Sequence, residues 1–402
     1  MATATAYGAA TAPARQPAPK SRRPRYPLWM AVAVLILFGS AAYPAQEHLR
    51  AAGMLLCIAH SDRSFVSTYS TVPVSVESTI VPVNGTPVEA NLYRPVGIEH
   101  PSPVVLLHGV HHLGIEEPRL VNFARALASR GYVVLTPLAS DLADYHVTSH
   151  GAEVVGYSAL KLCSTTHASK VSVIGMSFGG GLALIAASDP RFSASISSVA
   201  ALGSHEDLAR VLQYFVSDRA QGPHGEVFNE PAHEYGPLVA LYQHPEAFFP
   251  AADVEQARVT LRYLLWEDVD RSKQEAAKLS PEAQHTMQIL YEHKVQEFGP
   301  IMMAWIAKHP HEWDAASPSH TGRNVHVPVF LLAGAADNIV PPTEALWIEH
   351  DLPADAERHV LISNLLSHLD VSKASVRDEA KLVHWMAEML HEEQKNRAAD
   401  SR

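Results

Sequence analysis

Cysteine is nearly absent from this chain. Cys57 and Cys163 are the only two in 402 residues. Such a count excludes a disulfide framework and a cysteine-built zinc site. Two thiols can still pair in an oxidising compartment or stay apart, and both readings stand. Leu55 and Leu56 precede Cys57, without the small residue that a lipid-attachment site carries. Positive charge is also scarce, with 31 Lys and Arg against 42 Asp and Glu and a net charge of −11. Nucleic-acid binding as the main activity needs a basic field and is excluded. No internal repeat is visible. With 47% apolar residues, the chain can build one large or two small cored domains.

Acidic residues are missing from positions 1–27, which hold Arg15, Lys20, Arg22, Arg23 and Arg25 among Ala, Pro and Thr. This leader is expected to be disordered. Residues 28–43 then run apolar without a charge, the pattern of an export signal or a membrane anchor. The long leader favours an uncleaved anchor, and Ser40 and Ala42 offer a cleavage site as the alternative. In both cases the basic flank stays in the cytoplasm and the bulk of the chain lies outside. Arg22-Arg23 reads as part of that basic flank, since the residues after it fit twin-arginine export poorly.

Residues 44–64 read as a linker helix. From 65 to 95 apolar and polar residues alternate around Asn84-Gly85, a hairpin turn between antiparallel strands. A strand–helix rhythm follows. Pro103 to Val110, Tyr132 to Leu138, Lys170 to Met176 and Ile196 to Leu202 are strands, with helices over 116–130 and 150–163. The rhythm stops from 204 to 323, where helical patterns and prolines occur without a convincing strand. It resumes with a strand from Val325 to Leu332, a helix over 343–350, a strand from Arg358 to Ile362 and a closing helix over 371–393. The domains are therefore a core of 65–203 and 324–396 interrupted by a helical cap of 204–323. In such parallel sheets ligands bind at the carboxyl edge, which the cap would cover. The aromatics of the cap read as its own core.

The strongest motif is Gly175-Met176-Ser177-Phe178-Gly179, set between the β-branched run Val171–Ile174 and a stretch of small residues. That order gives strand, sharp turn and helix, with a serine hydroxyl pushed out at the sheet's carboxyl end. A serine needs a base, and the base needs an orienting acid. Asp337 follows the resumed strand and His368 the last one. The alternative bases His359, His384 and His391 fall at a strand start or in the closing helix. Asp351 and Asp355 are weaker acids for the role, and Asp370 reads as a helix cap. Two backbone N–H groups would hold the oxyanion, one from Phe178 and one from Val110 in the loop after His108-Gly109, with His111 close behind. His108, His111 and His112 lack a matching ligand motif, so no metal is expected.

Together, His108-Gly109, the Ser177 pentad, Asp337 before Val340-Pro341, and His368 resemble the α/β-hydrolase superfamily. The likeness covers roughly 75–203 and 324–395. It implies an α/β fold: a mostly parallel eight-stranded sheet with helices on both faces. It also implies an acyl-enzyme, a histidine that is first base and then acid, and no cofactor. A serine at the turn departs from the carboxylate of dehalogenases and epoxide hydrolases and from the cysteine of dienelactone hydrolases. The expected activity is hydrolysis of a small-molecule carboxylic ester. Acyl transfer or cleavage of short peptides shares the same intermediate. A non-catalytic binding module on a membrane is the reading from another class.

Overall fold

The computed structural model describes residues 46–56, 58, 71–366 and 375–400. The leader, the apolar run 28–43, Cys57, His368 and Asp370 lie outside the described residues. Among those described, no helix is long and apolar enough to cross a membrane.

Strand β1 (Val74–Val83) turns back into β2 (Thr86–Pro95) through Asn84 and Gly85, at φ 48° and 84°. Positive φ at both centres is the two-residue turn that matches strand twist. Then come β3 (Ser102–Leu107), β4 (Tyr132–Pro137), β5 (Val171–Met176) and β6 (Ile196–Leu202). The two-residue strands β7 (Ala220–Gln221) and β8 (Val227–Phe228) pair with each other, apart from the main sheet. Finally β9 (Val329–Gly334) and β10 (Arg358–Ser363) complete an eight-stranded sheet of order β1-β2-β4-β3-β5-β6-β9-β10. The hairpin β1–β2 is antiparallel and β2 joins β4 antiparallel, while β4-β3-β5-β6-β9-β10 are parallel throughout.

Every residue of β4, β5, β6 and β9 is buried. Their side chains divide by the two-residue period of a strand. Val105, Leu107, Val133, Leu135, Val171 and Val173 face one core, with helices His150–Thr166 and Phe178–Ser188. Val104, Leu106, Val134, Ile174 and Met176 face the other, with helices Pro118–Ser129 and Val376–Asp400. Ala51 and Met54 from the helical stretch 46–56 are buried in this second core, so that stretch packs against the sheet body. Helix Pro118–Ser129 starts where sequence chemistry puts it. Glu117 accepts from the Leu120 N–H at 2.9 Å and Pro118 occupies the first turn.

Between β6 and β9 the chain forms helices Leu208–Ser217, Tyr235–Gln243, Val254–Leu265, Val269–Ala276, Pro281–Tyr291 and Gly299–Lys308. The β7–β8 pair corrects the expectation of no strand in this stretch. The resumed strand also starts later than the expected Val325. Short turns run through 318–324, and Pro328 has no N–H to offer a ladder. At the root of the block Arg210 reaches two buried carboxyl groups, Glu344 at 2.5 Å and Glu206 at 2.6 Å. This ties its first helix to helix Thr343–Asp351.

Candidate active site

Ser177 joins β5 to helix Phe178–Ser188 with φ 52° and ψ −133°. A residue with a Cβ rarely adopts such a backbone, and it persists only where its surroundings hold it. Here the Ser177 N–H donates to Leu202 O at the end of β6, at 2.7 Å, and Ser177 O accepts from Gly180 N at 2.9 Å. Gly175 explains the tightness of the turn. A Cβ there would lie 2.3 Å from the carbonyl oxygen of Gly179, a backbone atom that cannot move aside. Ser177 itself is 5% exposed.

The loop after β3 lies directly against this serine. His108 is buried, and its Nε2 accepts from the Ala139 N–H at 3.1 Å. That leaves the proton on Nδ1, which donates to Gly109 O at 2.7 Å. Burial pushes the imidazolium down, so the ring is held neutral in this tautomer. The Gly109 carbonyl shares a planar peptide with the Val110 N–H, which must point the opposite way. His108 therefore sets the direction of the Val110 N–H. It is a structural residue, as its position before Gly109 suggests. Phe178 supplies the first N–H of its helix, where no intrahelical partner exists.

Asp337 is fully buried three residues past β9. Its Oδ1 accepts from Ile339 N at 3.0 Å and Val340 N at 2.9 Å, which fixes the carboxylate. Strand ends link it to the serine turn. Ser177 N bonds Leu202 O, and the next residue, Gly203, donates to Leu332 O on β9. Ser177, after β5, and Asp337, after β9, thus share the carboxyl edge of the parallel sheet with β6 between their strands. The chain from β10 reaches the same edge, where Ala335 N donates to Ser363 O at 2.9 Å. His368 lies two residues past Leu366, outside the described residues.

The other candidate bases stand elsewhere. His359 lies at the amino end of β10, stacked on Phe330 and bonded to Glu388 and Glu357, both at 3.0 Å. The His384 Nδ1 meets His48 at 3.1 Å. The histidines after Gly109 are engaged separately. His111 accepts from the Leu113 N–H at 3.2 Å, and His112 pairs with the Tyr145 hydroxyl at 3.2 Å. Burial lowers the pKa of both rings.

The inserted block supplies residues that sequence reasoning missed. Tyr235 donates its hydroxyl to Val110 O at 2.9 Å. Gln243 donates to Tyr145 O at 2.6 Å, where Tyr145 is buried at φ 62°. Tyr242 bonds Asp144 at 2.7 Å. The aromatics are also not all core. Tyr214 and Phe249 are buried, but Trp266 is 41% exposed and stands 5.4 Å from the His112 ring. No local pattern marks these contacts, because the hydrogen bonds join residues 98 to 125 positions apart and the His112–Trp266 contact spans more still.

No protein-family model matches the chain and no curated protein matches it. Solved structures are similar to it at low identity. A dienelactone hydrolase from Anabaena variabilis shares 15% identity over 79% of this chain and 98% of its own, with a TM-score of 0.40. An acetyl xylan esterase from Paenibacillus shares 13% over 79% and 84%, at 0.43. A puromycin-hydrolyzing peptidase from Mycobacterium tuberculosis shares 15% over 81% of this chain but only 39% of its own length, at 0.45. The order of the strands, the antiparallel start and the serine turn after β5 are features of this chain itself, and they make it an α/β-hydrolase-fold protein.

Proposed function

We propose that the chain is a serine hydrolase cleaving a carboxylic ester through an acyl-enzyme. Ser177 Oγ attacks the carbonyl carbon while His368 takes its proton, with Asp337 orienting the ring. The N–H groups of Phe178 and Val110 hold the oxyanion. The alkoxide then leaves with the proton from His368, and water repeats the sequence on the acyl-enzyme. What carries the reading is the Ser177 backbone, a costly conformation held at the sheet edge beside the Gly109–Val110 loop. The buried, doubly bonded Asp337 carboxylate on the same edge supports it.

The test is fluorophosphonate labelling of the full chain beside Ser177→Ala and His368→Ala, with p-nitrophenyl esters of increasing acyl length. Labelling and hydrolysis by the wild type alone support the reading. Equal hydrolysis by Ser177→Ala removes it. Competing alcohols and amines in the same assay separate hydrolysis from transfer.

We further propose that residues 28–43 anchor the chain with its catalytic part outside the cytoplasm. An apolar, charge-free run behind a basic flank supports this. Release of a soluble chain starting after Ala42 would instead mean a cleaved signal.

A further inference from the structure

We infer that Tyr235 is a positioning residue through which the inserted block holds the loop beside Ser177 in its working shape; the inference rests on the hydrolase reading above. Two consecutive peptides flank Val110. The first is pinned from within the sheet, by His108 Nδ1 on Gly109 O at 2.7 Å. The second is pinned from the inserted block, by the Tyr235 hydroxyl on Val110 O at 2.9 Å. Fixing both carbonyls fixes the two soft dihedrals of Val110 between them, and with them the aim of its N–H.

Neither bond can be made by the other's partner. His108 is buried under the β3 loop, whereas Tyr235 opens helix Tyr235–Gln243, 125 residues farther along the chain. Burial pushes the Tyr235 phenol well above its usual range, so it remains a donor at any working pH. Its neighbours give it a firm seat. The Tyr145 ring meets it edge-on at 6.3 Å, and Tyr145 in turn is held by Gln243 from the end of the same helix. His112, two residues past Val110, bonds the Tyr145 hydroxyl at 3.2 Å. The helix therefore grips the loop twice, directly at Val110 and through Tyr145 at His112. A shift of this helix, for example when a substrate enters beneath the block, must carry the Val110 peptide with it.

The test compares the full chain with Tyr235→Phe and Tyr291→Phe. Tyr291 lies in the same block, and its hydroxyl meets Ser272 at 2.8 Å, so its loss is the same chemical change away from the loop. Loss of a whole oxyanion donor lowers kcat by about 100- to 1000-fold, so a misaimed one should lower it by about tenfold. Tyr235→Phe is expected to lower kcat for a p-nitrophenyl ester and the rate of fluorophosphonate labelling to that extent. KM should stay within about threefold, since ground-state binding does not use the N–H. Tyr291→Phe should leave both rates within about twofold of wild type. Amide hydrogen exchange, which needs no catalysis, should speed up at residues 110–113 in Tyr235→Phe alone. An active wild type with kcat and exchange unchanged in Tyr235→Phe overturns the positioning role and leaves the hydrolase reading standing. A wild type that neither labels nor hydrolyses overturns both.

Discussion

Gly109 and Ser177 are in contact without room for one more carbon. A Cβ on Gly109 would lie 2.9 Å from the Ser177 Cβ, 3.2 Å from the Met176 carbonyl and 3.7 Å from the Ser177 hydroxyl oxygen. Ser177 cannot retreat, because its N–H is bonded to Leu202 O and its backbone is already strained.

The loop must therefore give way in Gly109→Ala, and the Val110 N–H leaves its aim. We expect kcat/KM to fall about 100-fold, the size of a lost oxyanion donor. Stability should fall by about 1–3 kcal/mol, as for an overpacked core. Ester kinetics beside a thermal melt check both. A kcat/KM within threefold of wild type would show that the loop's path past Ser177 is not what catalysis depends on.

Asp337 gives a separable test of the acid. Its Oδ1 accepts two backbone N–H groups, and an asparagine carbonyl oxygen can accept the same pair. Asp337→Asn should keep the fold, with the melting temperature within a few degrees, yet lose kcat by about 10⁴-fold as the wrong tautomer of the base is favoured. Asp337→Ala should lose stability as well, because two N–H groups are orphaned, at about 1–3 kcal/mol each where buried. Ester turnover and melting of the two variants together distinguish an orienting acid from a loop staple. Asp337→Asn with full activity would leave only the staple.

Much of this was legible in the residues, for local reasons. β6 runs over Ile196–Leu202 as read: a buried parallel strand is mostly apolar, and the two serines here, Ser197 and Ser198, are satisfied by Ser172 on β5. Asn84-Gly85 announced its hairpin, and Ser177 and Asp337 follow strands that periodicity finds. Val325 misled: it is fully buried, yet precedes the strand. Apolarity reports burial, while Pro328 decides where a ladder starts. The β7–β8 rungs are two residues each, too short for any period. Tyr235 was invisible for another reason. Its partner is Val110, 125 residues away, and nothing in Tyr-Gly-Pro foretells a carbonyl above a serine turn.

His108 should matter twice when removed. In His108→Ala the buried Ala139 N–H loses its acceptor and Gly109 O its donor. An unsatisfied buried group costs about 1–3 kcal/mol, so a lower urea midpoint is expected. The freed Gly109–Val110 peptide should also lower kcat by about tenfold or more. His108→Gln, whose amide can donate and accept, should recover part of each. Stability that falls while kcat holds would mean the ring supports the loop without aiming it.

The root of the inserted block should carry its own pH dependence. One guanidinium, Arg210, faces two carboxyl groups, and the Glu206 side chain is 2% exposed. Burial is the larger influence on Glu206 and outweighs the attraction of Arg210, pushing its pKa up to about 8 from 4.5. Between those values the folded chain keeps a proton that the unfolded chain has released. Glu206 therefore stabilises the fold at low pH, and that contribution falls as pH rises through the window, by at most about 1.4 kcal/mol per unit. Glutamine has no proton to lose and can still accept from Arg210. The stability of Glu206→Gln relative to wild type should rise from pH 5 to about 8 and level off above it. Urea unfolding at each pH unit reads the difference directly. A gap that stays constant would mean that Glu206 is ionised in the fold throughout, with Arg210 offsetting the effect of burial.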